Sequence, residues 1–412
     1  MKKMRRVLNV VFLVFTVLFS STAWGQTDND GGIMTPNDSI LAQMDSVEIS
    51  LLTCSPGEQI WSLYGHTAIR YEDKAHALDV AINYGLFDFN QKNFIVRFVF
   101  GRTDYQMGII PFSMFLLDYA KEGRSVIQQT LNLTRDEKAA ITQAIAANYE
   151  PANRTYRYNY FYDNCTTRAR DILVSHLDGK VEYAVNPSVT VSYRDMIHQW
   201  NGGHRWMRFG KDLLLGVGAD QETSFAQQQF LPDTLRKDFD KAMVVSASGE
   251  KHWLVSRTTE ILRSNGANVK SHSGVWDVIT PRIFFLALLI VTLLLTAVEY
   301  KRKKTFWLYD VVLLTLDGLA GLALLMMVFS EHPTVRVNFQ IFLLNPLSIV
   351  FVYSVGNSIV KKLYNRYWNV LCGFIVLFLI CGFFQHYAEG MYFLACTLLV
   401  RIGINRRIYY KR

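Results

Sequence analysis

Beyond residue 281 the chain is written for a different solvent, and that change limits every fold it can adopt. Residues 282–299, 306–329, 341–359 and 369–385 each approach the roughly 20 apolar residues that cross a bilayer as a helix. Residues 391–404 form a shorter fifth run that contains Arg401. Basic blocks fall on one side of these runs only. They are Lys301 to Lys304, then Lys361, Lys362 and Arg366, then Arg406, Arg407, Lys411 and Arg412. The opposite loops, 330–340 and 386–390, hold Arg336 as their one lysine or arginine. The positive-inside rule puts the blocks in the cytoplasm and everything before the first run outside. An odd number of spans agrees, and about five helices over 281–405 are expected.

Formal net charge is +8, but the excess cations sit in these short blocks, which argues for membrane topology and against a nucleic-acid partner. Residues 1–25 read as a secretory signal. Lys2, Lys3, Arg5 and Arg6 precede the apolar run 7–19, and Ala23-Trp-Gly25 is a small-x-small cleavage site. An uncleaved anchor is the alternative. Residues 26–46 read as a polar tether and 47–274 as an exported α+β domain. In that domain 47–52, 66–71, 79–84, 94–100 and 124–133 alternate like strands, the second and third forming a hairpin. Residues 111–121 suggest a helix. Thr134 and Glu137 make a capping box for a helix ending near Tyr149. Phe230-Leu-Pro-Asp233 starts another, 264–274 is a polar linker, and the fold of 179–274 is otherwise open.

The chemistry concentrates at 158–179, YNYFYDNCTTRARDILVSHLDG. Cys165 lies where an aromatic extended run turns into a helix. Ala169, Ile172, Leu173, His176 and Leu177 follow at helical spacing, Asp163 and Asn164 suit the cap, and Gly179 stops the helix. A thiol there feels the positive end of the helix, and Arg168 adds a cation. Both favour the thiolate. A nucleophilic cysteine needs a base and an orienting group. Among the histidines of this domain, His66 opens a strand directly after the turn at Tyr64-Gly65 and is the candidate base. Across the hairpin Asn83 or Tyr84 falls nearly opposite, and alternation puts Asn83 on the His66 face, suited to hold the imidazole tautomer. Asn164 and the first N–H groups of the helix are candidates for receiving an oxyanion. The other readings of Cys165 are a buried structural thiol or a disulfide with Cys54, since the exported compartment is oxidising. The five cysteines show no metal-ligand spacing, and neither metal nor cofactor is expected.

LLTCSPGEQIWSLYGHTAIRYED, VAINYGLFDFN, FGRTDYQMG and YNYFYDNCTTRARD together resemble the Lnb proteins, as do FSEHPTVRVNF and LLNPL in the membrane half. That family completes lipoprotein maturation in Bacteroides-like bacteria by N-acylation. The resemblance implies a cysteine-hydrolase-like periplasmic domain, similar to permuted papain-like folds such as lecithin:retinol acyltransferase, ahead of an all-α multi-span domain in the inner membrane. It implies Cys165 as acyl-accepting nucleophile and His66 as base; Tyr64, in the turn before His66, is a supporting candidate. The partners implied are a phospholipid acyl donor and a diacylglyceryl lipoprotein acceptor. On the outer side His332, Arg336, Asn338, Asn345, His386 and Glu389 become candidates for headgroup or lipoprotein contacts. Pro333 and Pro346 suggest an irregular, re-entrant segment between the second and third spans. Asp310 and Asp317, inside the second run, are either functional or partners in interhelical bonds. A membrane-anchored cell-wall cysteine peptidase or amidase, and a non-enzymatic scaffold, are the competing readings.

Overall fold

The computed structural model describes residues 41–59, 61–87, 92–184, 190–200, 204–264 and 278–410. The expected signal, its cleavage site, most of the tether and nearly all of the 264–274 linker lie outside them. In the first part the elements run β1 (Val47–Cys54), β2 (His66–Asp73), β3 (Leu78–Leu86), α1 (Phe94–Val99), β4 (Asp104–Pro111), α2 (Phe112–Lys121), β5 (Val126–Leu131), α3 (Arg135–Tyr149), β6 (Thr155–Arg157) and α4 (Cys165–Val174). Then follow β7 (Lys180–Glu182), α5 (Tyr193–His198), α6 (Arg205–Leu214), α7 (Phe225–Gln228), α8 (Pro232–Phe239), β8 (Met243–Val245), β9 (Lys251–Trp253) and β10 (Val255–Leu262).

Seven strands form one antiparallel sheet in the order β10-β5-β1-β2-β3-β4-β6. Alternation along β1 and β2 sends Ile49, Leu51, Ile69 and Tyr71 to one face. There they meet Ile141 and Ile145 of α3, Ala169 and Leu173 of α4, and Leu235 and Phe239 of α8. Leu52, Ala68, Ala81 and Val126 pack on Phe112 and Phe115 of α2 instead. Both faces are therefore covered, and each buried Leu, Ile or Phe contributes about 1.5–3 kcal/mol of transfer free energy. The last residues of the expected tether join this body: Met44 is buried in the core, and Asp45 pairs with Arg135.

Two sequence expectations change here. Residues 94–100 are not a strand. Asn93 in the left-handed region turns the chain into α1, which sets Phe94 and Phe98 one turn apart with rings 6.3 Å between centroids. Aromatic and β-branched content gave this segment a strand signature that tertiary context overrode. β10, which no alternation announced, extends the sheet beside β5.

The second part holds α9 (Pro281–Arg302), α10 (Trp307–Val328), α11 (Pro333–Arg336), α12 (Leu347–Val360), α13 (Tyr367–Cys381) and α14 (Met391–Tyr409). α9, α10 and the stretch Pro333–Val360 are long and apolar enough to cross a membrane, and α13 is a shorter apolar helix. The third run is broken as Pro333 and Pro346 suggested: one turn of helix, a 3-10 turn at Phe339–Phe342, then α12. Protein covers the irregular backbone, with Gln340, Leu343, Leu344 and Asn345 all buried. Gly318 and Gly321 of α10 make room for it. A Cβ on Gly318 would lie 2.3 Å from Ile349 N, and one on Gly321 2.5 Å from Leu344 O. Asp317 then accepts from Ser348 Oγ (2.6 Å) and Asn345 N (3.3 Å), so an interhelical carboxylate ties α10 to the turn that opens α12. Of the two alternatives for Asp310, the bonded one is present: it takes Arg401 Nε at 2.7 Å.

Candidate active site

The β2–β3 ladder stops at Ala68–Asn83, although both strands run on to His66 and Leu86. The start of α4 occupies this opening. Asn164 is its cap: Oδ1 accepts from the Thr166 and Thr167 N–H groups at 2.8 and 3.0 Å, and Thr167 Oγ1 accepts from Asn164 N at 2.9 Å. Asn164 Nδ2 donates to the Tyr160 and Phe230 carbonyls at 2.9 and 3.0 Å. With its amide engaged at both ends, Asn164 holds the helix tip in place and is not poised as an oxyanion donor. Gly85, at φ +85°, lies against the cysteine, and a Cβ built there would be 3.8 Å from Cys165 Cβ. Thr166 Oγ1 ties the tip to β2 through Thr67 Oγ1 at 3.1 Å.

The structure brings Cys165, His66 and Asn83 together. Asn83 faces Ala68 across the ladder, so it is the diagonal neighbour of His66 and not its direct partner. The same-face expectation carries the contact nonetheless: His66 Nε2 lies 3.1 Å from Asn83 Oδ1. An amide oxygen can only accept, so Nε2 carries the proton and Nδ1 is left to meet the thiol. Cys165 is half-buried and unbridged. Burial pushes its pKa up, but the His66 charge and hydrogen bond, with those of the Thr67 N–H and Thr166 hydroxyl, outweigh burial and bring it down to about 7. Burial pulls His66 down, and the Cys165 charge with the bonds from Cys165 and Asn83 outweigh that and raise it. A thiolate beside an imidazolium at neutral pH is the state that makes cysteine a nucleophile.

Cys54 supplies an internal contrast. It sits directly across from His66 in the β1–β2 ladder, yet it is free, fully buried, and pushed up to about 12 by desolvation. No Cys54–Cys165 disulfide forms.

The remaining expected residues have other partners. Arg168 grips Asp163 with two bonds of 2.6 and 2.8 Å and lies 3.6 Å above the Tyr156 ring, so its charge is paired at the start of α4. Tyr64 is buried, edge-on to Tyr160, and its hydroxyl accepts from Lys211 Nζ at 2.7 Å. Burial brings Lys211 down to about 8. His332 reaches the cysteine loop: its Nδ1 lies 3.5 Å from Asn159 Nδ2, and burial lowers its pKa. Asn338 belongs to the joint between the two parts, where Nδ2 donates to Leu213 O (2.8 Å) and Oδ1 accepts from Gln385 (2.8 Å). Asn345 Oδ1 accepts from Leu347 N at 2.9 Å at the start of α12. Arg336 donates to the Ser330 carbonyl at 2.5 Å, His386 meets Asp220 at 3.2 Å, and Glu389 meets Arg205 at 3.8 Å.

Sequence reasoning passed over that joint. Arg194, buried, bonds Asp220 (2.6 Å), Asp212 (2.9 Å) and the Leu215 carbonyl (3.1 Å). Gly216 and Val217 N–H groups donate to Thr334 and Val337 carbonyls at 2.8 and 2.9 Å. Trp206 and Phe209 of α6 pack on Phe284 and Phe285 of α9. The high charge of α6, RWMRFGKDLL, hid its apolar face.

An α+β domain that brings a thiol, an imidazole and an amide together and is seated on a bundle of apolar helices defines a membrane protein with a folded polar domain. Residues 41–199 match the Lnb N-terminal periplasmic domain and residues 272–412 the Lnb transmembrane domain. The chain belongs to the Lnb family: its sheet domain is periplasmic, and membership in that family points to an enzyme. The same comparisons find no matching curated protein and no matching solved structure.

Proposed function

We propose that this protein moves an acyl chain from a phospholipid, through a thioester on Cys165, to the α-amine of a diacylglyceryl-cysteine lipoprotein. The observation that carries the reading is the paired Cys165 and His66, oriented by Asn83, in a domain fastened to the end of a membrane bundle. In the first half-reaction the Cys165 thiolate attacks the ester carbonyl. The Cys165 backbone N–H, first in α4, is the donor proposed for the oxyanion, because the Thr166 and Thr167 N–H groups serve Asn164. Collapse breaks the C–O bond, and His66 gives its proton to the leaving lysophospholipid oxygen. In the second, the neutral lipoprotein amine attacks the thioester, His66 takes the amine proton, and the thiolate is released as the amide forms. Asn83 keeps the ring in the tautomer that both steps use. The bundle would sit in the inner membrane with its basic blocks in the cytoplasm, and His332, beside the cysteine loop, is the outer-side candidate for touching substrate.

Intact-mass analysis of the purified protein after incubation with phospholipid tests this. The expected result is a hydroxylamine-labile acyl adduct that Cys165→Ala abolishes and that a lipoprotein amine discharges. Release of cell-wall fragments without any adduct would replace acyl transfer with peptidase or amidase chemistry.

A further inference from the structure

Large apolar side chains gather on one face of the periplasmic domain. Trp61 is 58% exposed, Val96 55%, Phe98 48% and Leu86 45%. Patches of this kind on a folded domain mark contact sites. Their rings form a continuous row: Trp61 to Phe87 at 6.5 Å, Phe87 to Phe94 at 5.9 Å, Phe94 to Phe98 at 6.3 Å, and Phe98 to the His332 ring at 6.4 Å.

Both ends of the row are fixed. At one end the chain after α1 meets the chain leaving α10: Glu331 N donates to Phe100 O at 2.9 Å, and a Cβ on Gly101 would stand 3.1 Å from His332 N. Since α10 is a membrane-crossing helix ending at Val328, and Phe329 beyond it is 68% exposed, this end lies where a span leaves the hydrocarbon. Charges border it. Arg102 and Arg157 both bind Glu331, at 3.0 and 2.7 Å, and Arg97 binds Asp104 at 2.7 Å, which suits the headgroup level. At the other end Leu86 and Phe87 directly follow Gly85, the residue lying against Cys165.

We propose that this aromatic row, centred on α1, is a lipid-contacting surface. It rests in the outer leaflet and lays the acyl chains of bilayer lipids along a path that runs from the exit of α10 to the Cys165 thiol. The occupant is lipid and not a protein partner because the row is continuous with the lipid-facing end of a span. An apolar chain lying on these rings approaches the sulfur without crossing water, which lowers the cost of bringing a two-chain ester to a half-buried nucleophile. The consequence for catalysis rests on the acyl-transfer reading; the placement of the surface does not.

The full chain, reconstituted in phospholipid nanodiscs, tests both parts. With Val96 replaced by the photocrosslinker p-benzoylphenylalanine, irradiation should attach lipid, in a yield within a few-fold of that from the same replacement at Val350, a 67% exposed position on a span. Lipid attached at 350 and none at 96 would overturn the proposal. In the second arm, Val96→Glu should slow Cys165 acylation by long-chain phospholipid at least tenfold while sparing acylation by a water-soluble butyryl thioester. A long-chain acylation rate that Val96→Glu leaves unchanged would also overturn it. Lipid attached at 96 in a protein whose Cys165 accepts acyl groups from neither donor would sink the acyl-transfer reading and leave the surface standing.

Discussion

Removing His66 should move the titration of Cys165 by a measurable amount. The thiol is held at about 7 against an ordinary value of 9.0, and after burial, which opposes it, the largest influences are the charge and hydrogen bond of His66. In His66→Ala those influences vanish while desolvation persists, so the midpoint should rise to 9 or above. At pH 7 the thiolate fraction then falls from roughly a half to about one in a hundred or less, a loss of about fiftyfold. A more basic thiolate is intrinsically more reactive. With a Brønsted coefficient of about 0.4–0.5, that returns roughly six- to tenfold over two pH units. Iodoacetamide should therefore alkylate Cys165 about five- to tenfold more slowly at pH 7, with the rate still climbing past pH 9. Intact mass reads the product, and Cys54, pushed up to about 12, does not compete. A variant whose alkylation midpoint stays near 7 would refute the pairing of thiol and imidazole.

Other consequences are as direct. Asn83→Ala removes the acceptor at 3.1 Å from Nε2, so kcat should fall about ten- to a hundredfold with KM little changed, while a steady-state profile with kcat intact would deny Asn83 an orienting role. Asn164→Ala strands two buried N–H groups and two carbonyls at the tip of α4. It should cost about 1–3 kcal/mol in denaturant unfolding and lower Cys165 reactivity as the tip frays. Gly216→Ala would place a methyl 2.0 Å from the Val337 carbonyl and force the joint apart. Iodoacetamide should still find a reactive Cys165 in that variant, and acylation from bilayer lipid should be lost; normal lipid turnover would show that the joint does not set the height of the domain.

What could be read from residues alone had local causes. The Thr134–Glu137 box, the Asn164 cap and the proline break before α12 are short-range chemistry, and the first two have the partners their position implied. The positions of Cys165 and His66 in their elements were legible for the same reason: strand after turn, nucleophile at helix start. The Asn83 face followed from alternation, but the register lies two residues off because the hairpin closes at Asp73 and Leu78, which sets Asn83 opposite Ala68. Asn338, Asn345 and Asn164 were nominated by polarity and place in the chain; the structure engages Asn338 and Asn164 with backbone from another segment and Asn345 with the Leu347 N–H that opens α12. Arg168 lost its assigned influence to Asp163, five residues earlier and just ahead of α4. α1 and β10 depend on tertiary neighbours that sequence periodicity does not encode.

The arginine in the last helix has a consequence for how the bundle is made. Arg401 is fully buried, and its guanidinium is shared by Glu299 of α9 and Asp310 of α10. A helix carrying an unpaired arginine near its middle enters a bilayer at a cost of about 2.5–3.5 kcal/mol. Both carboxylates that remove this cost emerge from the ribosome roughly a hundred residues earlier, with the first two hydrophobic segments. Biogenesis should thus be ordered: the final segment enters the lipid onto counter-ions already in place, and Glu299→Gln with Asp310→Asn should leave it stranded outside the lipid.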